Sequence, residues 1–262
     1  MPRSPLMNVM VQAVRKVGRG LRRDFGEVEQ LQVSLKGPAD FVSAADRKAE
    51  EDLRAELARV RPDFGFLGEE GGLVEGRDPS HRFVVDPLDG TTNFLHGIPH
   101  FAISVALQRQ ETVVAAVIYN PVNDELFSAE RGQGAFLNDR RLRVAARRGL
   151  GEAVIGCGLP HAGRGDLAQF RRELESVQGQ VAGVRRFGAA ALDLAWVAAG
   201  RMDGFWERGL SPWDMAAGIL LVREAGGFVS DLDGRDDMLT TGSIVCGSEA
   251  MHRSMLTLLK AA

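Results

Sequence analysis

FVVDPLDGTTNF, residues 83–94, runs from an apolar β-type segment straight into a bend that carries two carboxylates. Asp86 closes the apolar run, so its carboxylate is expected at the end of a strand, where ligands gather in α/β proteins. Pro87 fixes its own φ and restrains Asp86 to an extended conformation, while Asp89 opens a Gly-containing turn. Two carboxylates held this close repel each other, and one pKa rises unless a cation neutralises them. Gly90, Thr91 and Thr92 follow with backbone N–H groups and two hydroxyls, an anion site if a helix begins there. Carboxylates beside an anion cradle suit a hard divalent ion bridging protein and phosphate, and Mg2+ prefers that arrangement to an all-protein cage.

Upstream of this stretch, Ser4 and Pro5 read as N-cap and first residue of a helix with Leu6, Val9, Ala13, Val17 and Leu21 at helical spacing. Ser43 and Asp46 have capping-box spacing ahead of a second helix, whose stripe of Ala49, Leu53, Leu57 and Val60 ends at Pro62. From residue 64 to 157 the pattern is one of short β-rich runs: FGFLG, HRFVVD, FAISVALQ, TVVAAVIY, ELFSAE, GAFLN and AVIGCG. Helices are then expected near 166–177 and 189–199, from Pro212, and from Ser248 to the end, with strands in MDGFWE, GGFVSDL and SIVCGS. This order predicts α+β layering in the first half and α/β packing in the second. A single domain over 1–262 is expected, with lobes of about 1–145 and 146–262. RRLRVAARRGLGE, residues 140–152, is the expected surface join between them.

Composition narrows the classes. Of 262 residues, 45% are hydrophobic, enough to bury a sizeable core. The balance of 32 basic against 35 acidic side chains, net −3, gives no global attraction to nucleic acid or an anionic membrane. The N-terminal segment lacks the apolar stretch of a signal peptide, and no apolar run is long enough to span a bilayer. Cys157 and Cys246 fit neither a disulfide framework nor a C-x-x-C pair, so a cytoplasmic protein is expected.

Each acidic candidate also has an ordinary reading. With 35 acidic residues a D-x-x-D pair arises often, and D-G-T-T alone is an ordinary turn. Ser211, Pro212 and Asp214 have the spacing of an N-cap, a first-turn Pro and a capping-box carboxylate. Glu69, in FLGEE, could be a solvated loop residue.

What separates these readings is a resemblance. VVDPLDGTTNF (84–94) and WDMAAGILLVREAGG (213–227) resemble the two signature segments of the inositol monophosphatase family, and FLGEE (66–70) and KGPADFVSAAD (36–46) are similar to two further blocks in the right order. The resemblance implies a Mg2+-dependent, lithium-sensitive phosphomonoesterase with the layered αβαβα sandwich of the inositol monophosphatase and fructose-1,6-bisphosphatase type, commonly a homodimer. It implies that Glu69, Asp86 and the Leu88 carbonyl bind a first metal, that Asp86, Asp89 and Asp214 bind a second, and that Glu69 helps hold a third. The same resemblance assigns the activation of water to Glu69 and Thr91, with Asp46 orienting the Thr91 hydroxyl, and phosphate binding to Gly90, Thr91 and Thr92. RRFGAAALD, residues 185–193, matches the block whose Gly188, Ala189 and Ala190 contact the substrate alcohol, and Glu207 matches a carboxylate that accepts hydrogen bonds from inositol hydroxyls.

One departure concerns substrate. Ala189 stands where many members carry Thr or Ser, and a missing hydroxyl alters discrimination between alcohols. Lys36, one of four lysines, is a candidate to approach the phosphate or the metals. His96 and His100 are four apart, but Pro99 between them argues against a zinc-binding helix. The three tryptophans are read as packing residues, with Trp213 bracing Asp214, and the G-x-G at Gly132 and Gly134 as a hairpin turn. The expected reaction is hydrolysis of a small phosphorylated polyol, foremost myo-inositol 1-phosphate. Histidinol phosphate, fructose 1,6-bisphosphate and 3′-phosphoadenosine 5′-phosphate are the alternatives within catalysis. An RNA- or protein-binding regulator using the Arg-rich run is the alternative from another class, although the charge balance gives no reason to expect nucleic acid.

Overall fold

The computed structural model describes residues 3–27, 33–37, 40–160 and 165–262, with backbone alone for 33–37 and 40–43. The Ser4 hydroxyl accepts the Met7 N–H and Pro5 starts α1 (Pro5–Phe25), as the N-cap reading expects. The buried face of α1 is centred on Met7, Met10, Val14 and Val17, so Leu6 and Val9 sit half-buried at its edge. After the hairpin of β1 (Val33–Gly37) and β2 (Asp40–Ser43) comes α2 (Ala44–Val60), which buries Ala45, Ala49, Leu53 and Leu57 in the expected register. The side chains of Lys36 and Ser43 lie outside the described residues.

The larger sheet is built from β3 (Phe64–Gly68), β4 (Gly72–Val74), β5 (Asp78–Asp89), β6 (Ala102–Arg109), β7 (Thr112–Asn120), β8 (Glu125–Glu130), β9 (Gly134–Leu137) and β10 (Arg140–Arg141). Its spatial order is β10-β9-β8-β7-β6-β5-β3-β4, antiparallel throughout except for the parallel β3–β5 pair. β6 and β7 read as unbroken apolar runs because both faces of the sheet are covered, and alternation is lost where no face meets water. One face packs on α1 and α2. The other packs on α5 (Ala190–Ala198) and α6 (Pro212–Glu224), whose side chains from Met215 to Val222 are buried on every side. A helix apolar all round has to lie inside, and these two form the central layer.

The second sheet holds β11 (Val154–Cys157), β12 (Gly183–Arg185), β13 (Gly204–Arg208), β14 (Phe228–Ser230) and β15 (Ser243–Gly247) in the order β12-β11-β13-β15-β14. It is mixed: β12, β11 and β13 are parallel, while β15 runs antiparallel to both β13 and β14. One face contacts the central helices, and a separate apolar cluster joins the other to α4 (Leu167–Gln178) and α8 (Glu249–Lys260). Two further short helices, α3 (Thr91–Leu95) and α7 (Met238–Thr241), and a 3-10 turn at Leu150–Glu152 complete the element order among the described residues. The layers thus run α, β, α, β, α. Among the described residues no helix is long and apolar enough to cross a membrane.

The Arg-rich join is largely exposed, but it is not merely a solvated face. Arg147 pairs at 2.7 Å with Asp203, whose side chain is buried and also accepts the Val154 N–H, so the join is pinned to the start of β11. The G-x-G segment does turn the chain between β8 and β9, and the Glu224 carboxylate of α6 takes the N–H of both Gly132 and Gly134 at 2.7 Å.

Candidate active site

Glu69 follows β3, Asp86 and Asp89 end β5, and Glu207 lies near the end of β13; α3, α5 and α6 start at the same place. Strand ends and helix N-termini therefore converge on one cleft of about 180 Å3, lined among others by Glu69, Asp89, Thr91, Asp193, Glu207 and Asp214. The positive ends of three helices face a group of carboxylates, which is the favourable orientation.

A local irregularity brings Asp86 and Asp89 together. In a regular strand, residues three apart point to opposite faces. Here Asp86 pairs with Ser104 and Asp89 with Ala102, so Pro87 and Leu88 oppose Ile103 alone. The extra residue is a β-bulge, which returns Asp89 to the same side as Asp86. Pro87, with no N–H to lose, suits a bulge. The Leu88 N–H closes the turn on Asp86 Oδ1 at 2.9 Å.

Each carboxylate is held from a different element. The Ala191 N–H, in the first turn of α5, donates to Asp89 Oδ2 at 2.7 Å. Ala189, at the N-cap of α5, has no side chain to do this, and the Asp89 carboxylate supplies a cap from the other half of the chain. Asp214 Oδ2 accepts the Ser211 N–H at 2.7 Å, so it does cap α6, and it also faces Asp86 and Asp89. The ordinary reading of Asp214 as a capping carboxylate therefore holds, and the cap sets that carboxylate beside Asp86 and Asp89. Burial drives the Asp86 carboxyl well above its usual range, and Glu69, Asp89 and Asp214 push it further; the Leu88 N–H opposes them. Asp89 is raised in the same way by burial and by Asp214, against the Ala191 N–H.

The Thr91 hydroxyl lies 2.9 Å from Asp46 Oδ1 and 3.1 Å from the Leu88 carbonyl, and Asp46 is 1% exposed. Gly90 has φ +91°, and a Cβ there would come within 3.1 Å of the His100 carbonyl and 3.2 Å of Ala189 Cβ. The bend and the Gly188–Ala190 segment therefore touch through a glycine. Asn93, which the sequence alone did not single out, locks that contact by donating to the carbonyls of His100 and Phe187, both at 2.8 Å. On the far wall, a Cβ on Gly158 would sit 1.8 Å from Glu207 Cδ, so Gly158 provides the space Glu207 occupies.

Asp193 was also missed. It is buried at the cleft wall, and its carboxyl is raised by burial and then by Glu207 and Asp89, against Arg186. His100, buried against Phe187 and Trp196, is pushed down to about 4 by burial. Its Nε2 is 3.8 Å from Asp193 Oδ1, beyond hydrogen-bond reach. His96 is exposed, so the two histidines occupy different environments. Cys157 and Cys246 are both buried thiols, and burial raises Cys157 to about 12.

The donor set offered by Glu69, Asp86, Asp89, Asp214 and the Leu88 carbonyl consists of hard oxygens. Among the described residues, no group of three or more His, Cys, Asp or Glu stands in metal-holding geometry by itself. Mg2+ commonly takes only one or two carboxylates and completes its shell with water and substrate phosphate, so the arrangement fits that ion.

Residues 3–262 match the inositol monophosphatase family. The inositol-1-monophosphatase of Mesorhizobium japonicum is 66% identical over 260 residues, covering 99% of this chain and 98% of that protein. The Nus factor SuhB of Pseudomonas aeruginosa is 45% identical over 260 residues, 98% of this chain and 96% of its own. The crystal structure of the extragenic suppressor protein suhB from Bartonella henselae superposes with a TM-score of 0.96 at 60% identity, covering 98% of this chain and 99% of that one. A bulged strand end, three helix starts and a ring of carboxylates thus sit within a likeness that runs the length of the chain, which belongs to the inositol monophosphatase family of phosphoric monoester hydrolases.

Proposed function

We propose that the protein hydrolyses myo-inositol 1-phosphate to inositol and phosphate, with two to three Mg2+ ions held by Glu69, Asp86, Asp89, Asp214 and the Leu88 carbonyl. The observation that carries this reading is the placement of Glu69, Asp89 and Asp214 around one cleft beside the buried Asp86, whose carboxyl all three raise. Left alone they would repel a phosphate. When bound, Mg2+ supplies the positive charge that offsets both the carboxylates and the phosphate, and it acidifies water.

Gly90, Thr91 and Thr92 receive the phosphate on backbone N–H groups of the α3 first turn, which have no intrahelical partner. Glu69 and the Thr91 hydroxyl orient the attacking water and draw off its proton, and Asp46 fixes the Thr91 rotamer through the 2.9 Å hydrogen bond. Water adds to phosphorus as the ester P–O bond breaks, with the developing charge spread over the phosphoryl oxygens facing fixed donors. No covalent nucleophile is called for. Gly188, Ala189 and Ala190 border the leaving alcohol and Glu207 accepts from its hydroxyls; these residues line the same cleft. The name carried by the Mesorhizobium japonicum relative supports the choice of inositol 1-phosphate.

The test is a phosphate-release panel over myo-inositol 1-phosphate, histidinol phosphate, fructose 1,6-bisphosphate and 3′-phosphoadenosine 5′-phosphate, run with Mg2+, with chelator and with lithium. Highest kcat/KM on inositol 1-phosphate, abolished by chelator and depressed by lithium, is the expected pattern. A clear preference for another ester would reassign the substrate, and release that chelator leaves untouched would overturn the metal reading.

A further inference from the structure

α2 carries two buried carboxylates one helical turn apart, Asp46 and Glu50. Positions i and i+4 share a helix face, so both point at the same side. Asp46 meets the Thr91 hydroxyl. Glu50 meets the turn that carries Glu69: its Oε2 accepts the Glu70 N–H at 2.8 Å and its Oε1 accepts the Gly71 N–H at 2.6 Å. One carboxylate thus takes two consecutive backbone donors, one on each oxygen, an arrangement of strong, charge-assisted bonds. The turn is short, because Gly68 and Gly72 are already paired across β3 and β4. Glycine on both sides of Glu69–Glu70 makes the approach feasible: a Cβ on Gly68 would lie 2.4 Å from Glu50 Oε2, and one on Gly71 2.8 Å from Oε1.

We propose that Glu50 is a positioning residue for the reaction: by clamping the Glu70 and Gly71 amides it fixes the backbone from which Glu69 reaches the cleft, so that α2 sets both Thr91 and Glu69 from behind. The inference rests on the role given above to Glu69. It distinguishes the two buried carboxylates of α2 from those lining the cleft, among which neither Asp46 nor Glu50 is found. The loss of Glu50 is felt through Glu69. Substituting the partner that orients a metal ligand typically costs about 10- to 100-fold in metal affinity or activity.

The experiment compares the full-length parent with Glu50→Gln, which keeps the shape but turns an NH2 group toward an N–H donor. Glu51→Gln, exposed on the same helix, is the control. Three readouts are taken: hydrogen exchange at the Glu70 and Gly71 amides without metal, the Mg2+ concentration at the midpoint of the thermal shift without substrate, and kcat against KM. Glu50→Gln should lose protection at those two amides, need about 10- to 100-fold more Mg2+ and lose kcat with little change in KM, with partial rescue in Glu50→Asp. Should Glu50→Gln not fold, Gly68→Ala displaces the same carboxylate from the other side and should give the same three changes. Parent-like exchange and Mg2+ midpoint in a folded Glu50→Gln protein would overturn the proposal. Glu69→Gln separates it from the reading beneath: parent-like turnover there sinks the role of Glu69 itself, whereas an inactive Glu69→Gln beside a parent-like Glu50→Gln overturns only the role of Glu50.

Discussion

Replacing Thr91 by Val removes one oxygen and nearly preserves shape, so it isolates what the hydroxyl does. The hydroxyl has one proton and two acceptors, Asp46 Oδ1 at 2.9 Å and the Leu88 carbonyl at 3.1 Å, and the shorter contact is to the charged group. A hydrogen bond to a charged partner contributes about 1.5–3 kcal/mol, and Asp46 is buried, so water cannot readily replace the lost donor. For a chain of this size each kcal/mol moves Tm by about 2–4 °C, which gives a fall of about 3–12 °C for the metal-free protein. Catalysis should suffer more, because a group that draws a proton from the attacking water typically contributes about 10²–10⁴ in rate. Thr91→Ser keeps the hydroxyl and is the comparison. Phosphate release at saturating Mg2+ and substrate gives kcat, and thermal denaturation in chelator gives Tm. The reasoning predicts a large kcat loss in Thr91→Val and near-parent kcat in Thr91→Ser; equal kcat in the two variants would refute it.

Two further outcomes follow from the carboxylates and from the central layer. Asp86 and Asp89 have folded-state pKa values raised above the unfolded ones, so the folded protein holds protons that the unfolded chain has already released. The contribution of these two groups to stability without metal is therefore fully present below the ordinary carboxylate range and is lost as pH rises through the raised values. Mg2+ should lift Tm increasingly over that interval, and a Tm in chelator that rose instead would contradict the sign. Gly218 packs α6 directly on α5, where an added Cβ would lie 2.4 Å from Leu194 Cδ1 and 2.5 Å from Leu194 Cβ. Gly218→Ala gains about 1 kcal/mol in helix propensity but overpacks a site that cannot yield at Cβ, at a cost of about 1–3 kcal/mol. A lower Tm is expected by scanning calorimetry, and a clear rise would show that the two helices can separate freely.

The elements most legible in the sequence are those whose burial leaves a long apolar signature. β6 and β7 are covered on both faces and α6 on every side, so FAISVALQ, TVVAAVIY and the ILLV of α6 stand out. β4, β12 and α7 are three or four residues long and owe their form to neighbours, so nothing local announces them. Carboxylate identities and their shared site are readable because motif blocks name them and Pro87 bends the chain, but the backbone geometry that brings Asp86 and Asp89 to one side is not. That depends on a bulge defined by the register against Ser104 and Ala102, which lie 18 and 13 residues from their partners, 104 − 86 and 102 − 89. Glu50 and Asn93 were invisible for a different reason: their partners are backbone N–H and carbonyl groups, which every sequence possesses. Arg147 reads as one of several arginines of an exposed run, because its buried partner Asp203 lies 56 residues on and leaves no local signal.

The central claim is that mutually repelling carboxylates around Asp86 become a phosphate site only with Mg2+. Its most direct test is a Mg2+ titration of phosphate release from myo-inositol 1-phosphate by the parent and by Asp86→Asn, with near-ultraviolet circular dichroism to establish that the variant is folded. The parent should show saturable activation from zero, and folded Asp86→Asn should show no activation at any Mg2+ concentration. Turnover in the variant that rises with Mg2+ as the parent's does would contradict the account.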